Sequence, residues 1–348
     1  MKIVILNMGY SGYWIACWRE LASRNGICLK IFSPQTRYPY SSSFLDGIPI
    51  TIFNQKEMAD KAFVCDKIAI EKPDVIMFGG WASTSFRAVA HDRRFSTAKK
   101  IVMIDSAWTG SLRQILQRFR LHEFVKNMKG IIVAGERGRQ YARWLGFKSE
   151  QIFSSIYGYD AAAFEPCMGM RPDSWPKRFC FVGRYARIKG LESLLAAYRI
   201  YKNERGSDAW PLDCYGSGEM KQVLDCEDGV VDHGFLQPSD LPRALSKEGV
   251  FVFPSLHEPW GVALVEAAGA GLPIICSDQV ASGLDIVKPE FNGLVFPAGN
   301  ARRLAASLIR MNDRYDNLKM MGERSKMMAE AFSPSVWCDR WMEAIKCI

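Results

Sequence analysis

A short apolar run, a turn rich in glycine or other small residues and an amphipathic helix recur along this chain, and no other feature limits its possible folds as much. The first run is Ile3-Val4-Ile5-Leu6, followed by Asn7-Met8-Gly9-Tyr10-Ser11-Gly12 and a helical pattern over 13–24. Val75–Phe78 leads into Gly79-Gly80, Ile101–Ile104 into Asp105-Ser106, and Ile131–Val133 into Ala134-Gly135 and a helical pattern over 137–145. Runs with no polar alternation suit strands buried on both faces, so a parallel sheet covered by helices is expected. The stretch 166–176 places three prolines in eleven residues and reads as a linker. The plan then restarts with Phe179–Val182, Leu212–Tyr215, Val250–Phe253 and Pro273–Cys276. Two α/β domains are expected, over 1–165 and 177–333, which suits a chain of 348 residues.

Both halves read as Rossmann-like, and ligands of such sheets bind beyond the carboxyl ends of the strands. Two such sheets facing one another would place a site in the cleft between them. Neither half carries Gly-x-Gly-x-x-Gly after a strand with an acid about twenty residues on, which disfavours a nicotinamide dehydrogenase. The P-loop pattern is also missing. The ten cysteines include no Cys-x-x-Cys pair, which argues against zinc ribbons and a disulfide framework. His91, His122, His233 and His257 show no ligand spacing, so no metal is expected. No apolar run reaches the roughly 20 residues of a spanning helix, and the first residues do not form a signal peptide. The expected location is cytoplasmic.

The net charge of +8 is unevenly distributed: residues 87–148 hold 14 Lys/Arg and 4 Asp/Glu, a net +10, leaving −2 for the rest. Within this stretch Leu112, Ile115, Leu116 and Phe119 share a helical face, and Leu121, Phe124, Val125 and Met128 repeat the spacing. One reading is a helix, or two short ones, packed on its own domain. The other is peripheral contact with an anionic membrane, on its inner face. No stacking or base-reading motif accompanies the charge, so nucleic acid is not an expected partner. Trp14 and Trp18, four residues apart, read as core, as do Trp337 and Trp341.

The residues that point to chemistry lie in the second half. A strand ending at Pro254 is followed by Glu258-Pro259-Trp260-Gly261 and a small-residue helix starting near Gly261, with Glu266 inside it. The free N–H groups of a helix N-terminus suit a phosphate, and two carboxylates along one ligand suit its hydroxyls. The spacing of eight predicts that Glu258 and Glu266 project from one side. Gly183-Arg184-Tyr185-Ala186-Arg187-Ile188-Lys189-Gly190 is a loop after a strand, and its Arg184 and Lys189 suit phosphate oxygens.

Arg184 and Lys189 ahead of Glu258 and Glu266 resemble the retaining GT-B glycosyltransferases of family 4, the glycosyl transferases group 1. Tyr157-Gly158-Tyr159-Asp160 with Phe164, Gly216-Ser217-Gly218-Glu219, Gly271-Leu272-Pro273-Ile274-Ile275 and Asn292–Phe296 extend the likeness in order over about 155–300. The resemblance implies a nucleoside-diphosphate sugar, with uridine as the expected base, held by the second domain without a divalent metal or other cofactor. The acceptor, a saccharide or lipid-linked saccharide, would be held by the first domain, as in polysaccharide and glycoconjugate biosynthesis. It further implies that a last helix, about 334–348, crosses back to the first domain. By the same likeness Glu266 binds ribose hydroxyls. Glu258 holds the transferred sugar, assisted by the backbone of Trp260, Gly261 and Val262. Arg184 and Lys189 neutralise the diphosphate, Gly183 and Gly216 shape its loops, and Phe235 and Leu236 frame the base. Gly9 and Gly12 either admit the donor phosphate or only tighten the first turn. Asp105 stands where the family often has a histidine, and either contacts a hydroxyl or caps the next helix. Two other readings are a GT-B nucleotide-sugar epimerase or hydrolase and a non-catalytic nucleotide-sugar-binding subunit.

Overall fold

The computed structural model describes residues 1–36, 40, 42–225 and 227–348. Their contacts divide the chain into two compact units, Met1–Gly158 with Pro334–Ile348, and Tyr159–Ser333.

The first unit is built on seven parallel strands: β1 Lys2–Leu6, β2 Cys28–Pro34, β3 Ile50–Phe53, β4 Val75–Gly79, β5 Lys99–Ile104, β6 Gly130–Val133 and β7 Ile152–Ser154. Their order across the sheet is β3-β2-β1-β4-β5-β6-β7. Ile3, Val4, Ile5 and Leu6 are all fully buried. Successive strand residues point to opposite faces, so both faces of this sheet are covered. The direction of strand addition reverses between β1 and β4, and the loops beyond these two strands flank the switch point where ligands of open α/β sheets bind.

The helix Pro334–Cys347 belongs to this unit. Trp337 and Trp341 are buried against Trp14, with ring centroids 6.4 and 6.2 Å away, and Trp14 stacks on Trp18. Their indole N–H groups donate to the carbonyls of Ile156 (3.0 Å) and Ser155 (2.9 Å). All four tryptophans are thus core residues, as their spacing predicts.

The basic stretch forms two short helices, Leu112–Arg120 and His122–Lys126. Leu121, Phe124 and Met128 enter the hydrophobic core. Leu112, Leu116 and Phe119 remain exposed. One spacing therefore has two outcomes in adjacent helices.

The second unit carries six parallel strands: β8 Phe179–Val182, β9 Leu212–Tyr215, β10 Val230–Gly234, β11 Val250–Phe253, β12 Ile274–Ser277 and β13 Gly293–Phe296. Their order is β10-β9-β8-β11-β12-β13. Here the switch point lies between β8 and β11, beyond which come the loops carrying Arg184, Lys189 and Glu258.

The proline-rich stretch 166–176 is not a free linker, and the second unit begins earlier, at Tyr159. Arg171 donates to the carbonyls of Leu245 (3.1 Å), Ala270 (3.1 Å) and Gly271 (3.2 Å), and its guanidinium lies 4.6 Å over the Trp175 ring. Trp175 Nε1 donates to Gly249 O at 2.9 Å. Past the 3-10 turn Glu165–Cys167 the strap forms neither helix nor strand, and its side chains satisfy buried carbonyls along the way. Tyr159 N donates to Phe332 O at 3.1 Å, joining the two places where the chain enters and leaves this unit.

Candidate active site

The loop after β8 is shaped by backbone contact. Tyr185 N donates to Ser217 O at 2.8 Å, and Met220 N donates to Tyr185 O at 3.1 Å. A Cβ on Gly216 would lie 1.9 Å from Gly183 O, so only glycine lets the loops after β8 and β9 approach this closely. Tyr185 is fully buried and its hydroxyl donates to Asp232 Oδ1 at 2.6 Å. Arg184 is exposed on this frame. It lines a concavity of about 430 Å³ with Tyr185, Ala186, Arg187, Ile188, Gly218 and Glu219. The Arg184 side chain makes no hydrogen bond or ion pair with a described residue, so its guanidinium donors are available to a ligand.

Lys189 ends a short turn, Arg187–Lys189, closed by Gly190 at φ +76. A Cβ on Gly190 would meet Pro254 O at 2.0 Å. This approach joins the loops after β8 and β11, and Leu256 N donates to Ile188 O at 2.9 Å across it. Lys189 Nζ forms an ion pair with Glu258 and lies 5.5 Å from the Phe253 ring centroid. Both side chains of the pair are largely buried, 19% and 11% exposed.

Glu258 is not one helical face with Glu266. It forms an isolated bridge with Val280, with Glu258 N donating to Gln279 O at 3.2 Å and Ala281 N donating to Glu258 O at 3.1 Å. The helix spans Val262–Gly269, so helical periodicity does not extend back to Glu258. Gly261 precedes it at φ +99 and offers no side chain to cap it. Leu264 N donates to Gly261 O at 3.1 Å, and the N–H groups of Val262 and Ala263 stay open to an anion. Trp260 is buried behind the turn against Phe332, with ring centroids 5.6 Å apart.

Glu266, one turn into the helix, is half-buried, and its carboxyl makes no hydrogen bond or ion pair with a described residue. Burial, and then the charge of Asp160, pushes its carboxyl up to about 8. Asp160 itself accepts from Ala163 N at 3.2 Å as the cap of the helix Ala161–Phe164. Its place beside Glu266 escaped the sequence reading, although the motif Tyr157–Asp160 contains it. Phe235 and Leu236 follow Gly234, whose carbonyl accepts from Gly216 N at 2.8 Å, which ties the end of β10 to the loop after β9.

Of the four charged side chains, contact joins Lys189 with Glu258. Arg184 stands on the same loop as Lys189, and Glu266 on the helix that follows Glu258. Gly183 and Val262 lie in these same two segments.

The remaining sequence candidates are in the first unit. Gly9 follows β1 with open space where a Cβ would stand, and Asn7 Nδ2 donates to its carbonyl at 2.6 Å. Gly12 opens the helix Gly12–Ser23. Asp105 follows β5 and accepts from the Tyr157 hydroxyl at 3.0 Å. It does not cap the next helix: Ser111 does, with Gln114 N donating to its hydroxyl. Among the described residues no three His, Cys, Asp or Glu side chains gather as a metal site.

The two-unit parallel α/β architecture is the GT-B fold. Anabaena HepE, solved in complex with UDP and glucose, superposes with a TM-score of 0.77 at 15% identity, covering 100% of each chain. Residues 171–328, all within the second unit, match the family model described as glycosyl transferases group 1. The amylovoran biosynthesis glycosyltransferase AmsK of Erwinia amylovora is 30% identical over 42% of this chain and 40% of its own length. An uncharacterized glycosyltransferase of Methanocaldococcus jannaschii is 33% identical over 38% of this chain and 35% of its own. The matched part therefore spans two fifths or less of these two relatives.

Proposed function

We propose that this protein is a retaining, metal-independent glycosyltransferase that moves a hexose from a nucleoside-diphosphate sugar, with UDP as the expected carrier, to a saccharide or lipid-linked saccharide. Polysaccharide or glycoconjugate assembly at the inner face of a membrane is the setting proposed for it. The observation that carries the reading is the build of the second unit's switch point. Arg184 offers a free guanidinium, Lys189 is positioned by Glu258, and an uncapped helix N-terminus follows on the same loop as Glu258. These are three sources of positive potential that suit a diphosphate without a metal ion.

In the proposed reaction the acceptor hydroxyl oxygen bonds to the anomeric carbon as the bond from that carbon to the phosphate oxygen breaks. The departing phosphate oxygen takes the acceptor's proton, so no separate base is required. Arg184 and Lys189 stabilise the charge that grows on the diphosphate, and charge stabilisation of this kind is worth roughly 3–4 kcal/mol per donor. Glu258 orients the ammonium and accepts from hydroxyls of the transferred sugar. Glu266 accepts from the ribose. Phe235 and Leu236 border the base, and Asp105 contacts a donor or acceptor hydroxyl.

A donor-turnover assay on the purified protein tests this reading. The expected result is nucleoside diphosphate released with a new glycoside of unchanged anomeric configuration, in EDTA as in buffer. Free sugar formed without an acceptor would replace the reading with a hydrolase or epimerase. Tight donor binding with no turnover would replace it with a binding subunit.

A further inference from the structure

The helix Leu112–Arg120 contains no buried residue. Leu112 is 78% exposed, Leu116 51% and Phe119 73%. Steps of four and three residues place these side chains on one helical face. The helix is held to the unit through polar groups. Gln114 Oε1 accepts from Thr109 N (2.8 Å) and Thr109 Oγ1 (2.9 Å), and its Nε2 donates to Ala107 O (2.7 Å). A helix on a water-facing surface normally buries its apolar stripe and exposes its polar one. Here Leu112, Leu116 and Phe119 face out, and only Ile115 of the stripe is half-buried.

The charge beside that stripe is of one sign. The helix carries Arg113, Arg118 and Arg120 and no acid. All three arginines are exposed. None forms an ion pair with a described residue, and Arg118 lies 5.6 Å over the Trp144 ring. Apolar side chains ringed by unpaired arginines complement a layer that is anionic at its surface and apolar just beneath. A second copy of the chain fits less well, because a two-fold contact would set the arginines against their own counterparts.

We propose that Leu112–Arg120 docks the first unit on an anionic lipid bilayer. Leu112, Leu116 and Phe119 enter the headgroup–acyl boundary, and Arg113, Arg118 and Arg120 meet lipid phosphates. The proposal rests on the membrane setting given above and names the surface that provides it. Its test reads lipid binding and not turnover, so either proposal can fail alone.

The full chain is sedimented with vesicles of phosphatidylcholine alone, and with vesicles of phosphatidylcholine mixed with phosphatidylglycerol. Binding to the mixed vesicles is expected to be at least about tenfold tighter, and to be released by high salt. The combined Leu112→Ser, Leu116→Ser and Phe119→Ser variant is expected to lose about tenfold or more. Phe119→Leu alone should keep nearly all binding. The combined Arg113→Gln, Arg118→Gln and Arg120→Gln variant should bind both vesicles equally weakly, and it provides the test if the serine variant fails to fold. Equal binding of the native chain to both vesicles, no binding, or native binding by the serine variant would overturn the proposal. A change of oligomeric mass in the serine variant with vesicle binding intact would assign the stripe to a protein partner instead.

Discussion

In the second unit Lys189 is held against Glu258 and beside the Phe253 ring, whereas in the first unit Arg113 and Arg120 extend from a helix that carries no acid. Both places are basic, but the charge is used differently. A cation fixed by a carboxylate, a ring and a glycine turn has one position and can act on one atom of a bound molecule. Arginines on an exposed helix have many positions and suit a ligand that is itself spread out. The difference teaches that net charge alone does not locate chemistry. The +10 segment of the chain lies outside the proposed donor site, and that site lies in a part whose charge nearly cancels.

The comparison breaks most directly at Gly190. Gly190→Ala adds a Cβ 2.0 Å from Pro254 O at a positive φ, and should cost on the order of 3–5 kcal/mol in urea unfolding, with loss of turnover. Near-native stability would show that the two loops need not touch. Next comes Lys189→Ala, expected to lower kcat by at least about 10² while the fold persists. Turnover within a few-fold of native would remove the amine from the mechanism.

A smaller effect concerns Glu248, which is buried and accepts from the Tyr215 hydroxyl at 2.6 Å. Burial, and then the charge of Asp213, pushes its carboxyl up to about 8. A carboxyl whose value is raised in the folded state favours folding at low pH, and that contribution fades as pH rises through the folded value. Stability should therefore fall across roughly pH 5–8, and Glu248→Gln should recover about 1–3 kcal/mol at the upper end. A native pH profile in the variant would assign the loss to other groups. The smallest effect is expected at Phe119→Ser, within about 0.5 kcal/mol of native. Phe124→Ala, five residues on and buried, should cost about 3–5 kcal/mol. Equal melting temperatures for the two variants would erase the contrast between the helices.

The central strands were legible because burial on both faces writes an unbroken apolar run. Ile3–Leu6, Val75–Phe78, Ile101–Ile104 and Val250–Phe253 show this. The strands that formed no such run are mainly those at or next to a sheet edge. In β3, β7 and β10 at least one face meets water, and Thr51, Ser154 and His233 interrupt the pattern. At the site, glycines and charges in sequence order pointed to the loops after β8 and β11. Helical spacing misjudged Glu258, because the chain there is extended and pairs with Val280. The strap 166–176 was read as a linker because proline reports what a backbone excludes and not what its neighbours bury. Asp160 became visible only through its proximity to Glu266. The outward face of Leu112–Arg120 was one of two readings the sequence left open, since spacing gives a stripe but not the side on which it lies.

The chain enters the second unit once, leaves it once, and returns to the first in a helix that carries the buried Trp337 and Trp341. During synthesis on the ribosome the second unit is the contiguous one and has all its parts first. The first unit must wait, its Trp14 without two of its aromatic partners, Trp337 and Trp341, until residues past 333 have emerged. The first unit thus lacks one covering helix while the whole second unit is made, a window in which chaperone capture is most useful and aggregation most dangerous.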